Sequence, residues 1–212
     1  EFNANVLDGE GGADKLYGSR GDDELRGGLG KDYISGDQGD DLIAGGAGND
    51  EITDKAGNDT YLYYRGDGTD TITDLNGTSD RIVFGAGISL NDLDMSRRGN
   101  STLLIEIGGV GKQGRIEILS QFDNNGGIET LEFANGSKLD LATFEFTTIG
   151  SAGDDTIWGI RYGGSGVDRI FGGHGDDTIH ANGVNSYEFN ANVLDGEGGA
   201  DKLYGSRGDD EL

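Results

Sequence analysis

Aspartate recurs at nine-residue intervals near the start of the chain, at Asp14, Asp23, Asp32, Asp41, Asp50 and Asp59. Each stands two residues after a glycine, from Gly12 and Gly21 through Gly57, and all but the last of these units also open on glycine. A carboxylate set beside backbone carbonyls that no side chain obstructs offers a cation oxygen ligands only. Such a donor set suits a hard ion of flexible, high coordination number, which favours Ca2+ over magnesium or zinc. No cysteine is present to supply a softer ligand.

The elements that must position these aspartates follow from the same spacing. The chain reads in one unbroken phase as GEGGADKLY, GSRGDDELR, GGLGKDYIS, GDQGDDLIA, GGAGNDEIT and DKAGNDTYL over residues 9–62. Glycines at the first, second and fourth positions make a tight turn, because they tolerate positive φ. The residues after the aspartate make a very short strand, whose neighbours alternate faces, so one strong hydrophobe per unit points inward. Leu16, Leu25, Ile34, Ile43, Ile52 and Tyr61 hold that eighth position.

After a slip the pattern returns once as RGDGTDTIT over 65–73, carrying Asp70. A second array comprises GSAGDDTIW (150–158), GGSGVDRIF (163–171), GGHGDDTIH (172–180), and GEGGADKLY with GSRGDDEL (196–212). Its sixth positions are Asp155, Asp168, Asp177, Asp201 and Asp210, and Ile157, Ile170 and Ile179 are its inward residues. A glycine-rich acidic linker would keep no hydrophobe in fixed register.

These units resemble the RTX nonapeptide G-G-x-G-x-D-x-U-x, the haemolysin-type calcium-binding repeat. The resemblance implies an all-β fold in which two units make one coil of a right-handed parallel β-roll, with calcium ions between stacked turns. On that pattern one column joins Asp14, Asp32 and Asp50 and the other Asp23, Asp41 and Asp59. This chain departs from it where Glu10 and Ser19 replace the second glycine and Asp54 replaces the first. The insertion Gly159 to Tyr162 is expected to interrupt stacking, and 181–195 is irregular.

Composition supports an ion-dependent fold. The chain has 212 residues, 33% hydrophobic, with 42 glycines and 40 acidic against 16 basic side chains, for a formal charge of −24. Self-repulsion and glycine's backbone entropy oppose compaction until cations arrive. The same charge argues against nucleic acid or an anionic membrane as a partner. No apolar run reaches the ~20 residues of a membrane span.

Between the arrays, at 74–149, glycine falls and apolar alternation takes over. Residues 81–84, 103–107, 115–118 and 129–133 read as strands. Asn135-Gly136 signals a type I′ hairpin, and Gly108 to Gly114 a second hairpin loop. The expectation is a small antiparallel β-sandwich or meander flanked by rolls at 1–73 and 150–212. The runs FGAGISLNDLDMSRRGNSTLLIEI and LEFANGSKLDLATF resemble the haemolysin-type calcium-binding-related domain that accompanies such arrays. That resemblance says little about its role; we read the segment as a structural spacer or cap, with ligand binding as the alternative.

Glu188 to Leu212 repeats Glu1 to Leu25 without a difference. Identity at surface positions points to recent tandem duplication. The triplet Arg20-Gly21-Asp22 is absorbed by the repeat, since Gly21 is a turn position and Asp22 the fifth position. His174 and His180 lack further ligands for zinc, and no catalytic motif is present, so no enzymatic activity is expected. The resemblance implies a secreted, extracellular or cell-surface protein exported by type I machinery, acting as an extender, adhesin, matrix or filament segment; separately, the identical segments and the open edge of an uncapped roll allow self-association end to end or with neighbouring repeats. A carbohydrate-binding auxiliary module recognising a surface glycan stays open beside it.

Overall fold

The computed structural model describes residues 3–98, 101–108, 114–122, 127–141, 143–144, 147–158, 169–181, 192–206 and 209–212. Its regular elements there are β-strands and one 3-10 turn, Leu90–Asp92. The chain divides into two bodies, the first built mainly from 1–95, 102–121 and 125–140 and the second mainly from 141–212.

The first body contains β1 (Val6–Asp8), β2 (Lys15–Arg20), β3 (Glu24–Leu29), β4 (Tyr33–Gln38), β5 (Leu42–Ala47), β6 (Glu51–Asp54) and β7 (Thr60–Tyr63). There follow β8 (Thr69–Asp74), β9 (Arg81–Phe84), β10 (Leu93–Arg98), β11 (Thr102–Ile107), β12 (Gly114–Leu119), β13 (Thr130–Phe133) and β14 (Lys138–Asp140). Alternate strands fall in alternate sheets, in the orders β1-β3-β5-β7-β9-β13-β14 and β10-β11-β12-β8-β6-β4-β2. That alternation, with parallel pairing, is a β-solenoid.

Parallel in-register stacking sets like residue on like, so a nine-residue period becomes files of equivalent side chains. One inward file runs Leu16, Ile34, Ile52, Ile72 and Ile118. The facing file runs Leu7, Leu25, Ile43, Tyr61, Ile82 and Leu131. Except for Leu7, all of these are buried. Each buried member contributes about 1.5–3 kcal/mol by leaving water, and each coil of the nonapeptide array supplies two of them, one from each sheet.

Glycine is required sterically where coils touch. A Cβ on Gly30 would stand 1.7 Å from the Gly12 carbonyl oxygen of the coil before. The second position needs a left-handed backbone, which Gly28 and Gly46 adopt easily and which Glu10, Ser19 and Asp37 adopt at φ 61, 84 and 84.

The expected separate sandwich is corrected by the strand pairing. β9 and β13 extend one solenoid sheet in parallel, while β12 pairs in parallel with β8 and carries β11. The alternating apolar pattern that suggested a sandwich serves equally well to continue the inward files and cover the roll's open edges. Both hairpins form, as β11 with β12 and β13 with β14; loop residues 109–113 lie outside the described set. The second turn is not type I′. Gly136 N–H donates to the Phe133 carbonyl at 2.8 Å and only Gly136 has positive φ, at 82°, giving a three-residue loop in place of the two-residue one.

The second body contains β15 (Thr147–Ile149), β16 (Thr156–Trp158), β17 (Arg169–Phe171), β18 (Thr178–His180), β19 (Val193–Asp195) and β20 (Lys202–Tyr204). They form two three-stranded parallel sheets, β15-β17-β19 and β16-β18-β20. The second copy of the duplicated segment therefore continues the array before it. The insertion does not interrupt stacking: Ile157 pairs with Ile179 and Ile179 with Leu203. Residues 159–162 themselves lie outside the described residues, and the strands on either side keep register.

Candidate metal centre

Every aspartate described at the sixth position of the first body sits at the start of a strand, where the turn hands it to the next coil. The backbone N–H of Asp14 donates to Oδ1 of Asp32 at 2.8 Å, Asp32 N–H to Asp50 at 2.8 Å, and Asp50 N–H to Asp70 at 3.0 Å. In the other column Asp23 N–H donates to Asp41 and Asp41 N–H to Asp59, both at 2.7 Å. The two columns expected from the repeat are thus both formed, and Asp70 joins the first.

In Asp23, Asp32, Asp41, Asp50 and Asp59 one carboxylate oxygen is fixed by a backbone N–H, and the other faces the gap between coils. Oδ2 of Asp14, Asp23, Asp32, Asp41, Asp50 and Asp59 is buried without a hydrogen-bond partner. An orphaned carboxylate oxygen is costly in a dry site unless a cation or proton meets it. The first-position glycines mark where a cation fits. A Cβ on Gly27 would lie 2.4 Å from Asp32 Oδ2 and 2.5 Å from the Gly45 carbonyl oxygen. On Gly18 it would meet Asp23 Oδ2 at 2.4 Å and the Gly36 carbonyl oxygen at 2.9 Å. Carboxylate and carbonyl oxygens converge where no side chain intrudes, a donor set that fits calcium.

Burial pushes the carboxyl groups of Asp41, Asp50, Asp59 and Asp70 up from their ordinary range, with neighbouring carboxylates adding to it. Asp41 and Asp50 rise to about 6, Asp59 to about 7 and Asp70 to about 8. Negative charge is held there against its preference, which is the electrostatic condition for recruiting a cation.

In the second body Asp155 N–H donates to Asp177 Oδ1 at 2.8 Å and Asp177 N–H to Asp201 Oδ1 at 2.9 Å, across coils of 22 and 24 residues. Asp177 Oδ2 is buried and unpartnered. Asp155 Oδ2 instead accepts from the N–H and hydroxyl of Ser151, and Asp210 Oδ2 from the N–H of Ser206. Asp168 lies outside the described residues.

Several participants were not anticipated. Asp80 accepts from Asp59 N–H at 2.7 Å, and Asp80 N–H donates to Glu129 Oε2 at 2.7 Å, extending the second column past the nonapeptides. Asn5 and Asn192 occupy the equivalent sixth position, and their N–H groups donate to Asp23 and Asp210. Asp54 and Asp74 are fully buried, each with one unpartnered oxygen. Asp54 was visible as the departure at a first position; Asp74 and Asp80 fall outside the nine-residue phase. The fifth position carries its own exposed ladder, in which Asp40 N–H donates to Asp22 Oδ1 at 2.9 Å and Asn58 N–H to Asp40 at 2.8 Å. The aspartate of the Arg20-Gly21-Asp22 triplet is engaged there.

No curated protein matches the chain. Among solved structures it is similar to the extracellular lipase LipA from Serratia marcescens at 18% identity and a TM-score of 0.35, over 82% of this chain and 28% of that one. The RTX calcium-binding nonapeptide repeat matches residues 3–34, 35–72, 149–159, 162–186 and 190–212, more than half of the sequence. With its aspartate columns, glycine turns and parallel coils, the chain belongs to the RTX calcium-binding nonapeptide repeat family.

Proposed function

We propose that the chain is a calcium-folded structural repeat of a large secreted or surface-attached protein, serving as an extender, adhesin stalk or self-assembling filament segment without catalytic activity of its own. The observation that carries this reading is the column of buried Asp Oδ2 atoms, each unpartnered and set beside first-position glycines. Their other oxygens are tied to backbone N–H groups, an arrangement suited to holding an ion, not to shuttling protons. A chain of formal charge −24 needs those ions to compact. Extracellular calcium modules bind with dissociation constants of about 10⁻⁴ to 10⁻³ M, so an exported chain of this kind folds after it leaves the cell. The identical segments 1–25 and 188–212 support tandem repetition in the parent protein.

Circular dichroism of the calcium-depleted chain during a calcium titration tests the reading. β-Structure is expected to appear cooperatively, to be reversed by chelator, and to form much less with magnesium, which demands stricter octahedral geometry. A native spectrum in excess chelator would overturn it. Electron microscopy of the calcium-loaded chain tests the filament role.

A further inference from the structure

Where the nonapeptides give out, five buried carboxylates crowd together. Asp41, Asp54 and Asp59 each offer one oxygen within 4.8 Å of the others, and so do Asp59, Asp74 and Asp80, with Asp59 common to both groups. Asp41 is 2% exposed and the other four are 0% exposed. In each, one oxygen is held: Asp41 by Asp23 N–H, Asp54 by Ala56 N–H, Asp59 by Asp41 N–H, Asp74 by the Tyr61 hydroxyl and Asp80 by Asp59 N–H. The second oxygen of all five is buried and unpartnered. Lys55, the basic residue nearest Asp54 in sequence, pairs with Asp37 instead.

Gly36 shows that two of the free oxygens converge, and Gly77 marks where a third lies. A Cβ on Gly36 would stand 1.9 Å from Asp54 Oδ2 and 2.3 Å from Asp41 Oδ2, so the Asp54 carboxylate has entered the space beside Gly36. A Cβ on Gly77 would stand 1.8 Å from Asp80 Oδ2. The family repeat ends its first-array match at residue 72, so Asp74 and Asp80 lie beyond it.

We propose that these five aspartates form a paired cation site, in which two hard divalent ions share Asp59, tighter than the sites between glycine turns. It rests on the calcium reading of the columns and adds to it a place, a stoichiometry and a rank of affinity. Five carboxylates against two divalent ions leave one net negative charge, whereas a single ion would leave three in a dry pocket. Ligand charge count is what tunes calcium affinity in oxygen sites. The rigid tethering of one oxygen per carboxylate lowers the ordering cost of binding.

Calorimetric calcium titration of the full chain, calcium-depleted, tests this with Asp74→Asn, Asp80→Asn and Asp32→Asn. The unaltered chain should show a class of two ions at least about tenfold tighter than the rest. Asp74→Asn and Asp80→Asn should lose that class and keep the weaker one, whereas Asp32→Asn should reduce only the weaker one. Retention of the tight class in both Asp74→Asn and Asp80→Asn overturns the proposal. Should those variants fail to regain β-structure in saturating calcium, terbium anomalous scattering from crystals of the unaltered chain decides. Peaks among Asp59, Asp74 and Asp80 support the site, and peaks confined to the glycine columns overturn it. Absence of calcium binding in the unaltered chain overturns the calcium reading itself, and this site with it.

Discussion

Asp23 and Asp210 are the same residue of one repeated segment, and their carboxylates are held differently. Asp23 Oδ2 is buried and unpartnered beside Gly18 and the Gly36 carbonyl, whereas Asp210 Oδ2 accepts the N–H of Ser206 from its own turn. Asp23 has a coil stacked beyond it, with Asp41 receiving its N–H; among the described residues no coil follows Asp210. Within this repeated pair the local sequence is the same, so the neighbouring coil is what distinguishes the two carboxylates.

Substitution should therefore rank by place in the column. Asp41→Ala removes a ligand in the middle of its column and the acceptor for Asp23 N–H, and should cost more than about 2 kcal/mol in saturating calcium. Asp210→Ala, which removes the acceptor for the Asn192 and Ser206 N–H groups but no unpartnered buried oxygen, should cost less, about 1 kcal/mol. Calorimetric melting checks this, and an Asp210→Ala variant as damaged as Asp41→Ala would refute the column assignment.

Much of this was readable because one phase governs 9–62. Once Leu16, Ile34 and Ile52 recur on one inward face, in-register stacking dictates that Asp14, Asp32 and Asp50 also align. Legibility fails where coil length changes. Asp50 reaches Asp70 across 20 residues, Asp59 reaches Asp80 across 21, and Asp80 reaches Glu129 across 49. Spacing alone gives no means of stacking such unequal coils, so Asp74, Asp80 and Glu129 were missed. Strands at 81–84 and 129–133 were visible as strands, but whether they pair with each other or with an existing roll edge is a tertiary choice that alternation does not encode.

The first-position glycine gives a second prediction. Gly27→Ala places a methyl 2.4 Å from Asp32 Oδ2 and 2.5 Å from the Gly45 carbonyl oxygen, inside the space assigned to the ion. It should abolish about one bound calcium and raise the calcium midpoint for folding. Gly11→Ala is the control, because its methyl meets nothing closer than 3.6 Å and its φ is ordinary. Equal calcium stoichiometry in the two variants would show that the ion lies elsewhere.

Acidity should act in opposite directions with and without calcium. Asp54 is raised to about 9 and Asp74 and Asp80 to about 7, first by burial, against an ordinary 3.8. Between those values the folded calcium-free chain binds more protons than the unfolded chain, so its stability falls as pH rises from about 4 to about 9. With calcium present the ions take the place of those protons, and affinity should weaken as pH falls below about 7. Circular dichroism in chelator should show more β-structure at pH 5 than at pH 8, while the calcium midpoint shifts to higher concentration at pH 5. More apo structure at pH 8 than at pH 5 would contradict the assignment of these buried carboxyls.

The duplicated segment also provides one leucine in two settings. Leu194 pairs in register with Ile170, bonds through its N–H to the Glu211 carbonyl at 2.8 Å, and is 2% exposed. Its counterpart Leu7 lies on the edge strand β1, in register with Leu25 on one side only, and is half-buried. Solenoid coils are stabilised mainly by their nearest neighbours, so the same side chain should matter more where it is stacked on both sides. Leu194→Ala should cost about 2–5 kcal/mol in the second body, as a truncation in a filled core does, and Leu7→Ala about 1 kcal/mol or less. Amide hydrogen exchange in calcium resolves the two bodies separately: protection at Gly172 and Lys202 should collapse in Leu194→Ala, while Gly30 and Leu42 keep theirs in Leu7→Ala. Equal losses in the two variants would mean that stacking on the preceding coil is not what orders the repeated segment.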